Sequence, residues 1–74
     1  MITIKVKQQR MQKGWTQRRL SEFTGISKSN IDRIEKGDVK VTLTDICEIA
    51  FALGVPVKEL YEFHHIDIEN PQSG

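Results

Sequence analysis

TQRRLSEFTGISKSNIDRIEKG, residues Thr16 to Gly37, is the stretch whose reading decides the fold. Thr16 is a good N-cap for a helix from Gln17 to about Thr24, because its hydroxyl can accept from an otherwise orphaned backbone N–H. Leu20 and Phe23 are the apolar positions of that helix, and Ser21 and Thr24 are small enough for close helix approach. Gly25 breaks it and Ile26 plugs the turn. Ser27 then caps a helix from Lys28 to Lys36, which Gly37 stops by accepting a left-handed conformation. The spacing predicts two short helices joined by a tight turn.

The second of these helices is two-sided. At the helical angle per residue, Lys28, Ser29, Asp32, Arg33 and Lys36 share an arc of about 140°. Ile31 and Ile34 point the other way and serve as anchors, and Asn30 sits on the border. An α-helix fits the DNA major groove, and Lys and Arg can donate to guanine O6 and N7. The same arc is also what a solvated face of any amphipathic helix looks like, so this helix alone leaves both readings open. The first helix adds a backbone-binding feature. At Gln17 it offers free amides and a positive dipole end, where a phosphate can sit. Gln17 contributes a side-chain amide, and Arg18 and Arg19 add charge. Taken alone, Gln17 reads as a plain polar residue of a first turn.

Working outward, Met1 to Lys13 is expected to form a first helix with Thr3 as N-cap. Ile2, Val6 and the stem of Arg10 recur at four-residue spacing, and Gly14 is its C-terminal stop. Trp15, just before the capping Thr16, is placed to pack back onto the next helix as a hydrophobic staple. After a loop from Asp38 to Val41, Thr42 and Asp45 form a capping-box start for a fourth helix. Its expected buried stripe is Ile46, Cys47, Ala50 and Leu53, and Gly54 ends it. Pro56 suits the first turn of a fifth helix reaching about Phe63, with Val57, Leu60 and Tyr61 on its apolar side. Ile66 and Ile68 alternate with Asp67 and Glu69 as in a short strand. Asn70 to Gly74 read as a frayed end. The expected class is all-α, five short helices with a possible short C-terminal strand or tail. Residues 1–63 form the domain and 64–74 the tail.

The totals narrow the function. Seventy-four residues allow one small domain, whose core must be well packed or shared with a partner chain. An apolar fraction of 38% suits a globular protein. No apolar run approaches the ~20 residues that span a bilayer, and no signal-sequence pattern opens the chain, so no membrane partner is expected. The single cysteine, Cys47, excludes an internal disulfide and fits a reducing compartment, the cytoplasm. Net charge is only +1, but it is unevenly divided. Residues 1–40 hold ten Lys and Arg against four Asp and Glu, a balance of +6; residues 41–74 hold one against six, a balance of −5. That division suggests a polyanion partner at one end and something else at the other.

The chain from residue 2 to 62 resembles the Cro/repressor-type (XRE-type) helix-turn-helix family, which includes the phage repressors. The residues that carry the resemblance are Arg10-x-x-Lys13-Gly14-Trp15-Thr16-Gln17, Leu20, Gly25-Ile26-Ser27 and Ile31-x-x-Ile34-Glu35-x-Gly37, ungapped throughout. It continues through Leu43, Ile46-Cys47, Ala50 and Leu53-Gly54-Val55 to Leu60. The resemblance implies a five-helix domain that docks its third helix in the major groove. It implies Gln17, with Arg18 beside it, at the DNA backbone, and Lys36 and Lys40 at the backbone across the groove. Ser27, Lys28, Ser29 and Arg33 become readers of base edges or adjacent phosphates, with Asn30 in support. Arg10 and Glu35 correspond to a partly buried ion pair between helices one and three, an architectural role. The chain departs from the family at Ser21, where alanine is usual, and at Phe51, where a charged residue is usual. Asp32 stands inside the reading arc. Its carboxylate could accept from a cytosine amino group or pair with Lys28 or Lys36, and the pairing is the reading preferred.

Phe51, Phe63, Ile66 and Ile68 remain after the core is assigned, and they lie in the acidic half. The expectation is a homodimer interface built on them, with the tail crossing to the partner or adding a strand; folding back on its own domain is the alternative. His64-His65 lacks a nearby third ligand, so no metal and no cofactor are expected. No nucleophile set, phosphate loop or carboxylate pair has workable spacing, so an enzyme is not expected. The expected function is sequence-specific double-stranded DNA binding by a transcriptional regulator, a repressor rather than an activator. The alternative is an antitoxin or a module controlled by a regulatory protein partner.

Overall fold

The computed structural model describes residues 2–37 and 41–64. The chain opens with a strand, β1 (Ile2–Ile4), where a helix from Met1 was expected, and Thr3 is a strand residue rather than an N-cap. Ile2, Thr3 and Ile4 are all β-branched, and their stiff side chains suit a pleated strand better than a first helical turn. The first helix, α1 (Val6–Gln12), starts after Lys5 without a side-chain cap. Then come α2 (Gln17–Thr24), α3 (Lys28–Lys36) and α4 (Leu43–Leu53). The expected fifth helix is a single 3-10 turn, Val57–Leu60, which gives way to β2 (Tyr61–Phe63). Tyr61 and Phe63 flank Glu62 in strand-like alternation, and aromatic residues favour strands. The described fold is thus four α-helices closed by a two-stranded ribbon. The expected strand at Ile66 and Ile68 lies outside the described residues.

The ribbon joins the two ends of the described chain. β1 and β2 are antiparallel, with Ile2 opposite Phe63, Thr3 opposite Glu62 and Ile4 opposite Tyr61. A pair of three-residue strands is marginal by itself. Here it is continued by the Lys5 N–H donating to the Leu60 carbonyl at 2.7 Å. Val6 and Leu60, the residues that follow β1 and precede β2, are both fully buried. The ribbon is therefore the rim of the core rather than a separate layer.

That core is Val6, Leu20, Ile31, Ile34, Ile46, Ile49, Ala50, Leu53 and Leu60. The helices contribute most of their expected apolar positions, with corrections in α4 and at Phe23 of α2. Ile49 is fully buried, and Cys47 is exposed. Ile46, Ile49, Ala50 and Leu53 are the set that recurs at three and four residues, and Cys47 lies about 100° from Ile46, on the flank of that stripe. Phe23 also lies largely outside the core, and packs its ring on Trp15 with centroids 4.7 Å apart.

The turn between α2 and α3 is fastened locally. Gly25 caps α2 at φ +80°, a left-handed conformation costly for any residue with a Cβ. The Ser21 hydroxyl, expected to need a partner, donates to the Ile26 carbonyl at 2.6 Å. The Thr24 hydroxyl donates back to Leu20 and accepts from the Ile26 N–H at 3.1 Å. Partly buried Ile26 then packs against the core. The angle between α2 and α3 is set by these contacts within six residues. No described helix is long and apolar enough to cross a membrane.

Candidate nucleic-acid interface

Ser27 starts α3 by accepting the Asn30 N–H on its hydroxyl at 3.1 Å. Ile31 and Ile34 bury the inner side completely or nearly so, which stabilises the docking of α3 by roughly 1.5–3 kcal/mol each. Lys28, Ser29, Asn30 and Arg33 are all exposed. Neither the Lys28 nor the Arg33 side chain forms a hydrogen bond or ion pair with a described residue. Of the residues expected to read bases, Ser27, Lys28, Ser29, Asn30 and Arg33, the structure brings all five to one exposed end and face of α3.

Behind this face runs a chain of polar contacts. Arg10 donates from Nε to Glu35 Oε2 at 2.7 Å and from Nη2 to Glu35 Oε1 at 3.1 Å. Its Nη1 donates to the Trp15 carbonyl at 2.7 Å. The Arg10 and Glu35 side chains are 10% and 3% exposed, so the ion pair is buried and bidentate. The Gln17 amide donates to Glu35 Oε1 at 3.0 Å and to Asp32 Oδ1 at 3.1 Å. Asp32 Oδ2 lies 3.0 Å from the Lys36 ammonium. Five side chains thus connect α1, α2 and both sides of α3. Among the described residues no buried side-chain nitrogen or oxygen lacks a partner.

One expectation changes at this chain, and the preferred pairing of Asp32 is observed. Gln17 does not point its amide outward, since both amide hydrogens are engaged inside the domain. What remains presented at the start of α2 is its main-chain N–H. Asp32 pairs with Lys36, one turn away, and also holds Gln17. Lys36 above all, and then the Gln17 amide, keep the Asp32 carboxyl below its ordinary value of 3.8. A carboxyl depressed by folding favours the fold above its unfolded value and loses that contribution as pH falls through the folded one. At neutral pH Asp32 is therefore a fixed negative charge within a basic face.

Arg18 is exposed beside Gln17, while Lys40 lies outside the described residues. Arg19, counted only as nearby charge, stacks its guanidinium 5.2 Å from the Trp15 ring centroid and 5.4 Å from that of Phe23. The Lys13 ammonium lies 5.2 Å from the Trp15 ring centroid. The four-residue spacing of Trp15, Arg19 and Phe23 was a readable signal for this stack. Of the proposed dimer residues, Phe51 is 87% exposed and Phe63 is exposed, whereas Ile66 and Ile68 lie outside the described residues. Leu43, 75% exposed, was missed. It shares a four-residue spacing with Cys47 and Phe51.

A capped helix, a left-handed glycine turn and a second helix anchored on one side and exposed on the other define a helix-turn-helix DNA-binding domain. Residues 6–60 match the sequence profile of the helix-turn-helix family, and the chain belongs to that family, in its Cro/repressor (XRE-type) group of transcriptional regulators. It is 38% identical over 55 residues to the HTH-type transcriptional regulator SutR of Escherichia coli (strain K12). That match covers 74% of this chain and 31% of SutR, so the chain spans about a third of that relative's length. Its fold is similar to the crystal structure of the restriction-modification controller protein C.AhdI from Aeromonas hydrophila. The TM-score is 0.72 at 29% identity, over 74% of this chain and 83% of that one.

Arg10→Met should lower the unfolding free energy by about 3–5 kcal/mol, because Glu35 is left charged and buried. Replacing both, as Arg10→Met with Glu35→Leu, should recover most of that loss. Urea denaturation of the two variants checks this, and a loss below ~1 kcal/mol in the single variant would contradict the role given to the pair.

Proposed function

We propose that the chain is a sequence-specific double-stranded DNA-binding regulator, acting as a repressor in the cytoplasm, that reads the major groove with α3. The observation that carries this reading is the exposed set Lys28, Ser29, Asn30 and Arg33, on a helix locked from behind by Ile31, Ile34 and Glu35. Lys28 and Arg33 have the donors that guanine O6 and N7 accept, and Ser29 and Asn30 suit shorter polar contacts. Ser27 keeps a hydroxyl donor while its oxygen caps the helix. The Gln17 main-chain N–H, Arg18 and Lys40 act on the phosphate backbone, which fixes register without reading sequence, whereas Lys36, expected there too, is held by Asp32. Repression needs only that a docked domain occupy the groove. Its similarity to a transcriptional regulator and to a controller protein supports this reading over a module devoted to protein interaction.

We also read the domain, residues 1–63, as acting in a homodimer. One reading helix contacts few base pairs, and a two-fold dimer doubles them at half-sites about one DNA turn apart. α4 is apolar over more than half of its circumference, with Thr44, Asp45 and Glu48 on one polar side, a wider apolar face than the core alone covers. Its exposed Leu43 lines a groove of about 600 Å³ together with Ile2, Ile4, Val41, Tyr61 and Phe63, and exposed Cys47 and Phe51 continue the Leu43 side of the helix. Ile66 and Ile68, in the tail from 64 to 74, are assigned to the same face.

On a duplex selected from a random pool, Arg33→Ala should cost ~1–3 kcal/mol and relax preference at one base pair. Lys40→Ala should instead weaken selected and scrambled duplexes about equally. Identical behaviour of the two variants on both duplexes would contradict the division of roles. In sedimentation equilibrium at micromolar concentration the chain should be dimeric, and Phe51→Glu should be monomeric and still folded, with a melting temperature that no longer rises with protein concentration. A strictly monomeric wild type would defeat the dimer.

A further inference from the structure

Asp32 is the one acidic side chain on the exposed arc of α3. It stands one helical turn from both Lys28 and Lys36 and is next to Arg33. Its two oxygens are divided between partners: Oδ1 accepts from Gln17 at 3.1 Å, and Oδ2 lies 3.0 Å from the Lys36 ammonium. The core does not require this. The Asp32 and Lys36 side chains are 38% and 67% exposed, and such a surface pair contributes little to stability. Nor does Glu35 depend on Asp32, because Arg10 and Gln17 already satisfy it. A negative charge is thus kept in the middle of a basic face where folding gains little from it.

We propose that Asp32 is a specificity-determining residue that works by opposition: it holds Lys36 in an intramolecular pair and sets a carboxylate against DNA, so that duplexes with the wrong bases bind poorly. This rests on the DNA-reading function proposed above. Binding to unmatched DNA comes almost wholly from neutralised phosphates and released counterions, which are the same for every sequence. Withdrawing Lys36 from that interaction, and adding a repulsive charge, weakens all such encounters. A matched site adds contacts to Lys28 and Arg33 and seats α3 with its arc toward the base edges. There, amino groups of cytosine or adenine can donate to the carboxylate, and its cost is offset. The penalty therefore falls mainly on the wrong sequences, and discrimination is a difference between two affinities.

The test compares wild type with Asp32→Asn, which keeps the shape and an acceptor for Gln17 but loses the charge. Each is titrated with a duplex selected from a random pool and with a scrambled duplex of the same composition, over a range of salt. At about 0.1 M salt the scrambled duplex should bind Asp32→Asn roughly five- to tenfold more tightly, with a log–log salt slope steeper by about 0.9 as Lys36 gains a phosphate. The selected duplex should change less, so that the ratio of affinities falls. Adding Lys36→Met to Asp32→Asn should remove the extra slope, while Lys36→Met alone should alter the scrambled slope little. Equal tightening on both duplexes, or an unchanged slope on the scrambled one, overturns the proposal while leaving DNA reading intact. Failure of wild type to bind any duplex overturns both.

Discussion

Arg10 and Glu35 meet inside the domain through two hydrogen bonds, and the pair ties α1 to α3 at a point that the Trp15 carbonyl and the Gln17 amide also share. Taking two charges out of water costs several kcal/mol each, and their attraction offsets this only when the geometry is good and the remaining donors and acceptors are satisfied. Those conditions are met here. The pair is bidentate, the third guanidinium contact goes to a carbonyl in the loop between α1 and α2, and Glu35 accepts again from α2. Apolar burial is non-directional, so Ile31 and Ile34 hold α3 down without fixing its rotation closely. A planar guanidinium against a carboxylate does fix it. The direction in which Lys28 and Arg33 point is therefore decided by residues that never reach the outer surface.

The exposed sides of α3 and α4 have opposite chemistry. α3 spends only Ile31 and Ile34 on the core and leaves a polar, mostly basic outer side. α4 is mostly apolar and leaves Leu43, Cys47 and Phe51 outward. A wet, charged groove suits the first, and another apolar surface suits the second. The same separation is present in the sequence as a basic half and an acidic half. A net charge of +1 thus conceals a chain with one face suited to a polyanion.

What could be read from the sequence was what is local. Thr16, Ser27 and Thr42 cap their helices as expected, each accepting an N–H three residues on, and Gly25, Gly37 and Gly54 end theirs in left-handed conformations. The Arg10–Glu35 contact, 25 residues apart, was reached through family resemblance rather than from spacing. The ribbon was missed because its strands are three residues long and lie at opposite ends of the described chain, so the alternation in each is too short to decide against a helix. Ile2 and Val6 at four-residue spacing then imitated a helix. Cys47 was placed inside and Ile49 passed over, although the three- and four-residue recurrence of Ile46, Ile49, Ala50 and Leu53 favoured the latter. The inward turn of the Gln17 amide was beyond sequence reasoning, since it depends on two acceptors brought together only by the packing of α2 on α3.

The most direct measurement of the central claim is a duplex titration of the isotopically labelled chain followed by NMR. The account predicts that shifts concentrate on residues 27–33, on the Gln17 main-chain amide and on the side-chain signals of Lys28 and Arg33. Leu43, Phe51 and the ribbon should change little when the dimer is already formed. Shifts confined to α4 and the ribbon, with α3 unaffected at saturating duplex, would contradict it.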